Sequence, residues 1–192
     1  MTFILASASS RRKELMEQAG FDFEVVISDV EEILEDGLSP KEQAKNLAEQ
    51  KALAVASLHS DQVVIGADTI VVLNGDILGK PVDAQDALKT LKRLNGNVHE
   101  VITGVAIVVN GRCFSFANIT KVTFYEMKES WIEDYVKSGE PMDKAGSYGI
   151  QGLGFELVEK IEGDFYSVMG LPIAQLKREL ALFGINTVRK KE

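Results

Sequence analysis

The residue with the clearest chemical meaning is Asp68. It interrupts the apolar run Val63-Val64-Ile65-Gly66-Ala67-Asp68-Thr69-Ile70-Val71-Val72-Leu73, whose β-branched residues read as a buried strand. A carboxylate there is costly unless a metal ion, a cation or several hydrogen-bond donors meet it. It is either an acid at a strand end, capped by backbone N–H groups, or a metal-binding or catalytic acid, and other residues must decide. Glu31 and Glu32, just beyond a second expected strand, are oxygen donors of the kind Mg²⁺ takes together with water and phosphate. Alone, that pair reads as surface charge.

Three further segments look built for a polyanion. Ala6-Ser7-Ala8-Ser9-Ser10-Arg11-Arg12 groups serine hydroxyls, the free N–H groups of a helix start and two guanidinium groups. Gly79-Lys80-Pro81 sets a lysine in a tight bend. Lys144-Ala145-Gly146-Ser147-Tyr148-Gly149-Ile150-Gln151-Gly152 interleaves glycines, which allow close backbone approach, with Lys144 and Gln151, which supply charge and hydrogen bonds. It lacks the Gly-Lys-Ser/Thr ending of a Walker A loop. His59 and His99 are too few and too scattered for a zinc site or a triad, and there is no Gly-x-Ser-x-Gly elbow. The residues favour metal-assisted attack of water on phosphorus.

The elements that must hold these groups follow from periodicity and caps. Phe3 to Ala6 reads as a first strand, and a helix from about Arg11 to Ala19 stops at Gly20. Phe21 to Ile27 reads as a second strand. Ser39-Pro40-Lys41-Glu42 is a capping box opening a helix whose apolar stripe is Ala44, Leu47, Ala48, Ala52 and Val55. Lys51 falls on that stripe, which is unexpected for a core-facing helix unless it snorkels to solvent. Asn74-Gly75 and Asn110-Gly111 are hairpin signals, and Asp83 caps a helix stopped by Asn95-Gly96. A long strand spans about 98–109, and two shorter ones are expected over 112–117 and 120–125. Trp131, Ile132, Tyr135 and Val136 mark one helix face, Phe155 to Ile161 a strand, and Pro172 the start of a last helix stopped by Gly184. Alternating strands and helices with antiparallel hairpins inserted give an α/β fold with a mixed twisted sheet flanked by helices.

Composition excludes several classes. The 192 residues, 45% hydrophobic and 26% charged, suit a soluble globular chain without a repeat or linker. Cys113 is the single cysteine, so no intrachain disulfide or cysteine-based zinc site is possible and a reducing compartment fits. No apolar run reaches membrane-span length, and Met1 to Ala6 lacks the basic region of a signal peptide, so the expected location is the cytoplasm. A net charge of −8 opposes binding to a nucleic-acid polymer.

Taken in order, the motifs resemble the Maf family of nucleoside triphosphate pyrophosphatases, also called septum-formation proteins. The resemblance rests on Leu5-Ala6-Ser7-x-Ser9-x-Arg11-Arg12, Val30-Glu31-Glu32, Ala48-x-x-Lys51-Ala52, Gly66-Ala67-Asp68-Thr69, Gly79-Lys80-Pro81, Asp143-Lys144-Ala145-Gly146-x-Tyr148-Gly149-Ile150-Gln151-Gly152 and Tyr166-Ser167-Val168-Met169-Gly170-Leu171-Pro172. Ser10 and Ser147 depart from the family's usual proline and alanine.

The resemblance implies an elongated inosine-triphosphatase-like (Maf/Ham1) fold, with residues 1–192 as a single domain of two lobes around a central nucleotide cleft, commonly in a homodimer. It implies hydrolysis of a nucleoside triphosphate to the monophosphate and pyrophosphate with Mg²⁺ or Mn²⁺. Asp68 matches the family's proton acceptor. Glu32 and Asp68 match the metal-holding carboxylates, and Ser7, Arg12, Lys51, Lys80 and Lys144 the phosphate-facing set. Arg11, Thr69 and Gln151 match the subgroup acting on dTTP and UTP. A glutamine amide offers both a donor and an acceptor to a pyrimidine O4/N3 edge, whereas a carboxylate suits a cationic methylated guanine. Modified pyrimidine nucleotides are further expected substrates. The competing reading is a non-catalytic nucleotide-binding regulator of cell division.

Overall fold

The Asp68 strand is central to the sheet. In the computed structural model, which describes residues 3–28 and 30–185, β1 (Phe3–Ala6) pairs in parallel with β2 (Phe23–Val25) on one side and β3 (Val63–Leu73) on the other. Asn74 and Gly75, at φ 53° and 90°, turn β3 into the antiparallel β4 (Asp76–Leu78). With β5 (Val98–Val109), β6 (Arg112–Phe124) and β7 (Val158–Glu162), the sheet has the order β2-β1-β3-β5-β6-β7, with β4 on β3. The helices are α1 (Ser10–Gln18), α2 (Pro40–Ala56), α3 (Ala84–Leu94), α4 (Glu129–Lys137), α5 (Phe165–Met169) and α6 (Ile173–Leu182). The α/β class and the mixed sheet are as expected. Among the described residues no helix is long and apolar enough to cross a membrane.

The expected starts hold for local reasons. The Ser39 hydroxyl takes the Glu42 N–H while the Glu42 carboxylate takes the Ser39 N–H, so orphan donors at the start of α2 are satisfied reciprocally. Asp83 Oδ1 accepts the Asp86 N–H at 2.8 Å to open α3.

Four expectations need correction. Phe21 belongs to the closure of α1, its N–H bonding the Met16 carbonyl after the left-handed Gly20, so β2 starts at Phe23 and is shorter than expected. Residues 112–124 form one strand, because pairing along β5 carries the chain through the polar Asn118. Trp131 is exposed, and the buried stripe of α4 is Ile132, Tyr135 and Val136. The strand expected from Phe155 begins at Val158, since residues Gly152–Leu157 are wound into a 3₁₀ turn.

The chain packs as two compact units. The first comprises the chain up to Asp68, Thr103–Asn118 and the part from Gly170 onward; the second comprises Thr69–Ile102 and Ile119–Met169. In the first, α2 lies on the sheet through small residues, and Ile4, Ala6, Ala48, Ala52, Val64 and Ala106 share a core. The second has its own core around Val71, Leu91, Leu94, Val101, Phe124 and Ile132.

The seat of α2 depends on two glycines in the sheet. A Cβ at Gly66 would fall 2.5 Å from the Ala48 carbonyl oxygen, and one at Gly104 only 2.1 Å from that of Ala44. Backbone cannot yield as a flexible side chain can. Gly104→Ala should therefore destabilise the protein by ~1–3 kcal/mol, the usual cost of overpacking. Gly79→Ala, whose added Cβ meets nothing within 4 Å, should be close to neutral. Urea unfolding of the two variants checks this; equal stabilities would mean that α2 is not held by close approach.

Candidate active site

The stripe of α2 that packs on β3 also carries the charge that answers Asp68. Side chains two apart on a strand share a face, so Asp68 lies on the same face as Gly66. Ala48, Lys51 and Ala52, spaced three and four apart, meet that face together. Lys51 Nζ sits 2.5 Å from Asp68 Oδ1 and 3.0 Å from Glu32 Oε1. Asp68 is buried and the Lys51 side chain is 15% exposed, whereas the Glu32 side chain is 47% exposed. Lys51 therefore does not snorkel: it bridges two carboxylates.

The β1–α1 turn adds a second charged layer in the same unit. Arg12 is buried; its Nε donates to the Gly170 carbonyl at 2.8 Å and its Nη1 to Ser7 Oγ at 3.1 Å. Ser7 Oγ also accepts the Ser9 N–H at 3.3 Å, and Ser9 caps α1. Burial lowers the Arg12 pKa, and the field of Asp68 acts against that shift, with smaller effects from Arg11 and Glu32. A guanidinium remains charged under such a shift. Arg11 is half-buried on the adjoining turn. Ser7, Arg12, Glu32, Lys51 and Asp68 are thus brought together in the first unit.

Thr69, Lys80, Lys144 and Gln151 belong to the second unit. Thr69 is half-buried, while Lys80 and Gln151 are exposed. Lys144 Nζ donates to the Glu140 carbonyl at 2.5 Å and to Asp143 Oδ1 at 2.7 Å, which braces the glycine-dense loop. That loop has an organiser nothing in the spacing of the sequence singles out. Glu140 accepts the Leu153 N–H at 2.8 Å, the Gly154 N–H at 3.1 Å and the Tyr135 hydroxyl at 3.0 Å, and Tyr135 Oη in turn takes the Gly149 N–H at 3.1 Å. These bonds wind the turn that displaces the start of β7 and fix the backbone on both sides of Gln151. A Cβ at Gly154 would lie 2.0 Å from the Gly149 carbonyl oxygen, so the loop is tightly closed there.

Tyr148 anchors the same loop from below: its hydroxyl lies 2.7 Å from His99 Nε2, and both rings pack edge-on against Phe124. The half-buried Cys113 has its thiol pushed up to about 11 by burial and by Glu49, which removes it as a nucleophile at neutral pH.

Among the described residues, no group of three or more His, Cys, Asp or Glu side chains is arranged to hold a divalent cation. Asp68 and Glu32, however, already gather oxygens around a single cationic nitrogen. Mg²⁺ commonly takes one or two carboxylates and draws its other ligands from water and substrate phosphate. The pair fits such an ion and would not fit a fully protein-caged one.

The chain is similar over nearly its whole length to known proteins. A family model described as "Maf-like protein" matches residues 2–183. The proteins named dTTP/UTP pyrophosphatase of Bacillus cereus strain B4264 and of Bacillus anthracis are 53% and 52% identical over 183 residues, spanning 95% of this chain and 96% of theirs. Among solved structures, the Staphylococcus aureus Ham1 protein matches with a TM-score of 0.50 at 16% identity, over 82% of this chain and 80% of that one. At that identity the likeness is one of fold, and it agrees with the fold type that the motifs imply.

Burial of His99 has a measurable consequence. Desolvation pushes its pKa from 6.5 down to about 4, and among the described residues its Nδ1 has no hydrogen-bond partner to receive an added proton. Between those pH values the unfolded chain binds a proton that the folded chain does not, so stability falls as pH drops through the window. Acidification from pH 7 to 4 should remove on the order of 3 kcal/mol through this group. Urea unfolding across the window should show a shallower pH slope for His99→Gln than for the parent chain; equal slopes would mean that His99 titrates normally.

Proposed function

Because the chain belongs to the Maf family, we propose that it hydrolyses dTTP and UTP, and modified pyrimidine nucleotides of the same shape, to the monophosphate and pyrophosphate. The observation that carries this reading is the single Lys51 ammonium shared by Asp68 and Glu32 beside the β1–α1 turn. A metal-and-water site needs carboxylates held in place, and the shared ammonium draws the buried Asp68 and the exposed Glu32 to one point.

Asp68 takes a proton from the attacking water through a carboxylate oxygen. The water oxygen bonds to the α-phosphorus, and the bond from that phosphorus to the bridging oxygen breaks, so the electron pair leaves with pyrophosphate. Glu32 and Asp68 would hold Mg²⁺ or Mn²⁺, which when bound would neutralise phosphate charge. Lys51, beside both carboxylates, offsets charge as pyrophosphate leaves. Arg12, fixed by Ser7 and Gly170, adds a buried positive field at the start of α1. Arg11, Lys80 and Lys144 carry the same phosphate-facing charge. Arg11, Thr69 and Gln151 select the base, with the Gln151 amide giving a donor and an acceptor to the pyrimidine edge.

Three outcomes are expected. With Mg²⁺ and a panel of dTTP, UTP, CTP, GTP, ATP and 7-methyl-GTP, pyrophosphate should appear from dTTP and UTP, cease with EDTA and return with Mg²⁺ or Mn²⁺. Asp68→Asn should lower kcat by ~10²–10⁴ while nucleotide still binds. Orthophosphate as the first product would place the cleavage at another bond, and tight binding without any release would restore the regulator reading. Gln151→Glu should lower kcat/KM for UTP by ~10–100-fold, the loss of one donor to a desolvated acceptor; an unchanged value would remove Gln151 from base selection.

A further inference from the structure

Glu32 lies between β2 and α2, where residues 30–39 are in neither helix nor strand, and Glu32 and its neighbours are exposed. Ile33 and Leu34, immediately after it, are each 62% exposed. What fixes it is one face of α2. The Ile33 N–H donates to Gln50 Oε1 at 3.0 Å, and Gln50 Nε2 donates back to the Ile33 carbonyl at 2.9 Å. The Gln50 amide thus closes on both backbone polar groups of a single residue, the one that follows Glu32. Two further residues of α2 extend the grip: Asn46 Nδ2 donates to Glu35 Oε1 at 3.1 Å, and Gln43 Oε1 accepts the Glu35 N–H at 3.2 Å. Asn46 Oδ1 also accepts from Gln50 Nε2, which orients the amide. Residues 43, 46 and 50 are spaced by three and four, so they form one polar ladder beside Lys51.

We propose that Gln50 is a positioning residue for the divalent cation: its two-point hold on the Ile33 backbone places the Glu32 carboxylate beside Asp68 and so sets the metal affinity of the site. This rests on the reading of Glu32 and Asp68 as the metal-holding pair. Gln50 would act as a hydrogen-bonding partner that orients a metal ligand without itself replacing it. Such partners are commonly worth ~10–100-fold in metal affinity or activity. A carboxylate at the edge of a solvated segment would otherwise be held only through its tip, by the Lys51 ammonium, with its backbone free to sample many positions.

The test uses Gln50→Met, which keeps helix propensity and side-chain length but removes both bonds, and Gln50→Glu, which keeps the acceptor for the Ile33 N–H and loses the donor. Mn²⁺ binding is titrated by electron paramagnetic resonance without nucleotide, and amide hydrogen exchange is followed at Ile33. Gln50→Met should weaken Mn²⁺ binding ~10–100-fold, speed exchange at Ile33 and raise the Mg²⁺ needed for half-maximal turnover, with kcat at saturating Mg²⁺ affected far less. Gln50→Glu should fall between it and the parent chain, and serves alone if Gln50→Met does not fold. In a Glu32→Gln background the Gln50 change should add no further loss, because its action runs through that carboxylate. Parent-like Mn²⁺ affinity in a folded variant overturns the proposal, as does a loss that adds in full to that of Glu32→Gln. Failure of the proposed activity is separable: the parent chain would then release no pyrophosphate, while its Mn²⁺ binding still depended on Gln50.

Discussion

The first unit is organised by the need to meet a carboxylate buried on a strand. Asp68 cannot be left uncompensated, since breaking a buried ion pair by removing one partner typically costs about 3–5 kcal/mol. The only way to bring an ammonium from a helix onto the face of β3 is to let that helix come close. Gly66 and Gly104 leave the sheet surface bare, and Ala44, Ala48 and Ala52 give α2 its flat side. Lys51 then reaches Asp68 at 2.5 Å without extending into solvent. Packing and charge here are one constraint: a larger residue at any of those positions would lift the ammonium off the acid.

The same arrangement leaves room for function. Two carboxylates share one ammonium, and the buried Arg12 guanidinium adds positive charge to the same unit. Glu32, the more exposed member, can turn toward a newcomer while Asp68 stays fixed by the strand. Lys51 draws the two carboxylates to one point. The second unit achieves order differently. Its glycine-dense loop contains no regular ladder; one carboxylate, Glu140, collects the backbone donors on the far side of Gln151, and Tyr135 and Tyr148 anchor the near side.

How much of this was legible in the sequence follows from the range of the interactions. The capping box at Ser39, the Asp83 cap and the two Asn-Gly turns are decided within four residues, and they appear where the residues say. The anomalies were also legible: an acid in an apolar strand and a lysine on an apolar stripe could be seen separately, and the structure joins them. Glu140 and Gln50 could not be found this way. Each acts through backbone groups more than ten residues distant, and side-chain-to-backbone bonds of that span leave no periodicity. For the same reason the Phe155 boundary failed, because the apolar pattern of 155–161 is real but the donors of Leu153 and Gly154 were already taken by Glu140.

Net charge and site charge point in opposite directions, and the contrast bears on substrate size. At −8 the chain repels an extended polyanion, whose binding draws on many phosphate contacts and their released counterions. A single nucleotide needs only a local field. Arg12 provides one from a buried position where its guanidinium is tied to Ser7 and Gly170 rather than screened by water. Sequestering positive charge in this way concentrates a local field in the first unit despite the chain's overall negative charge.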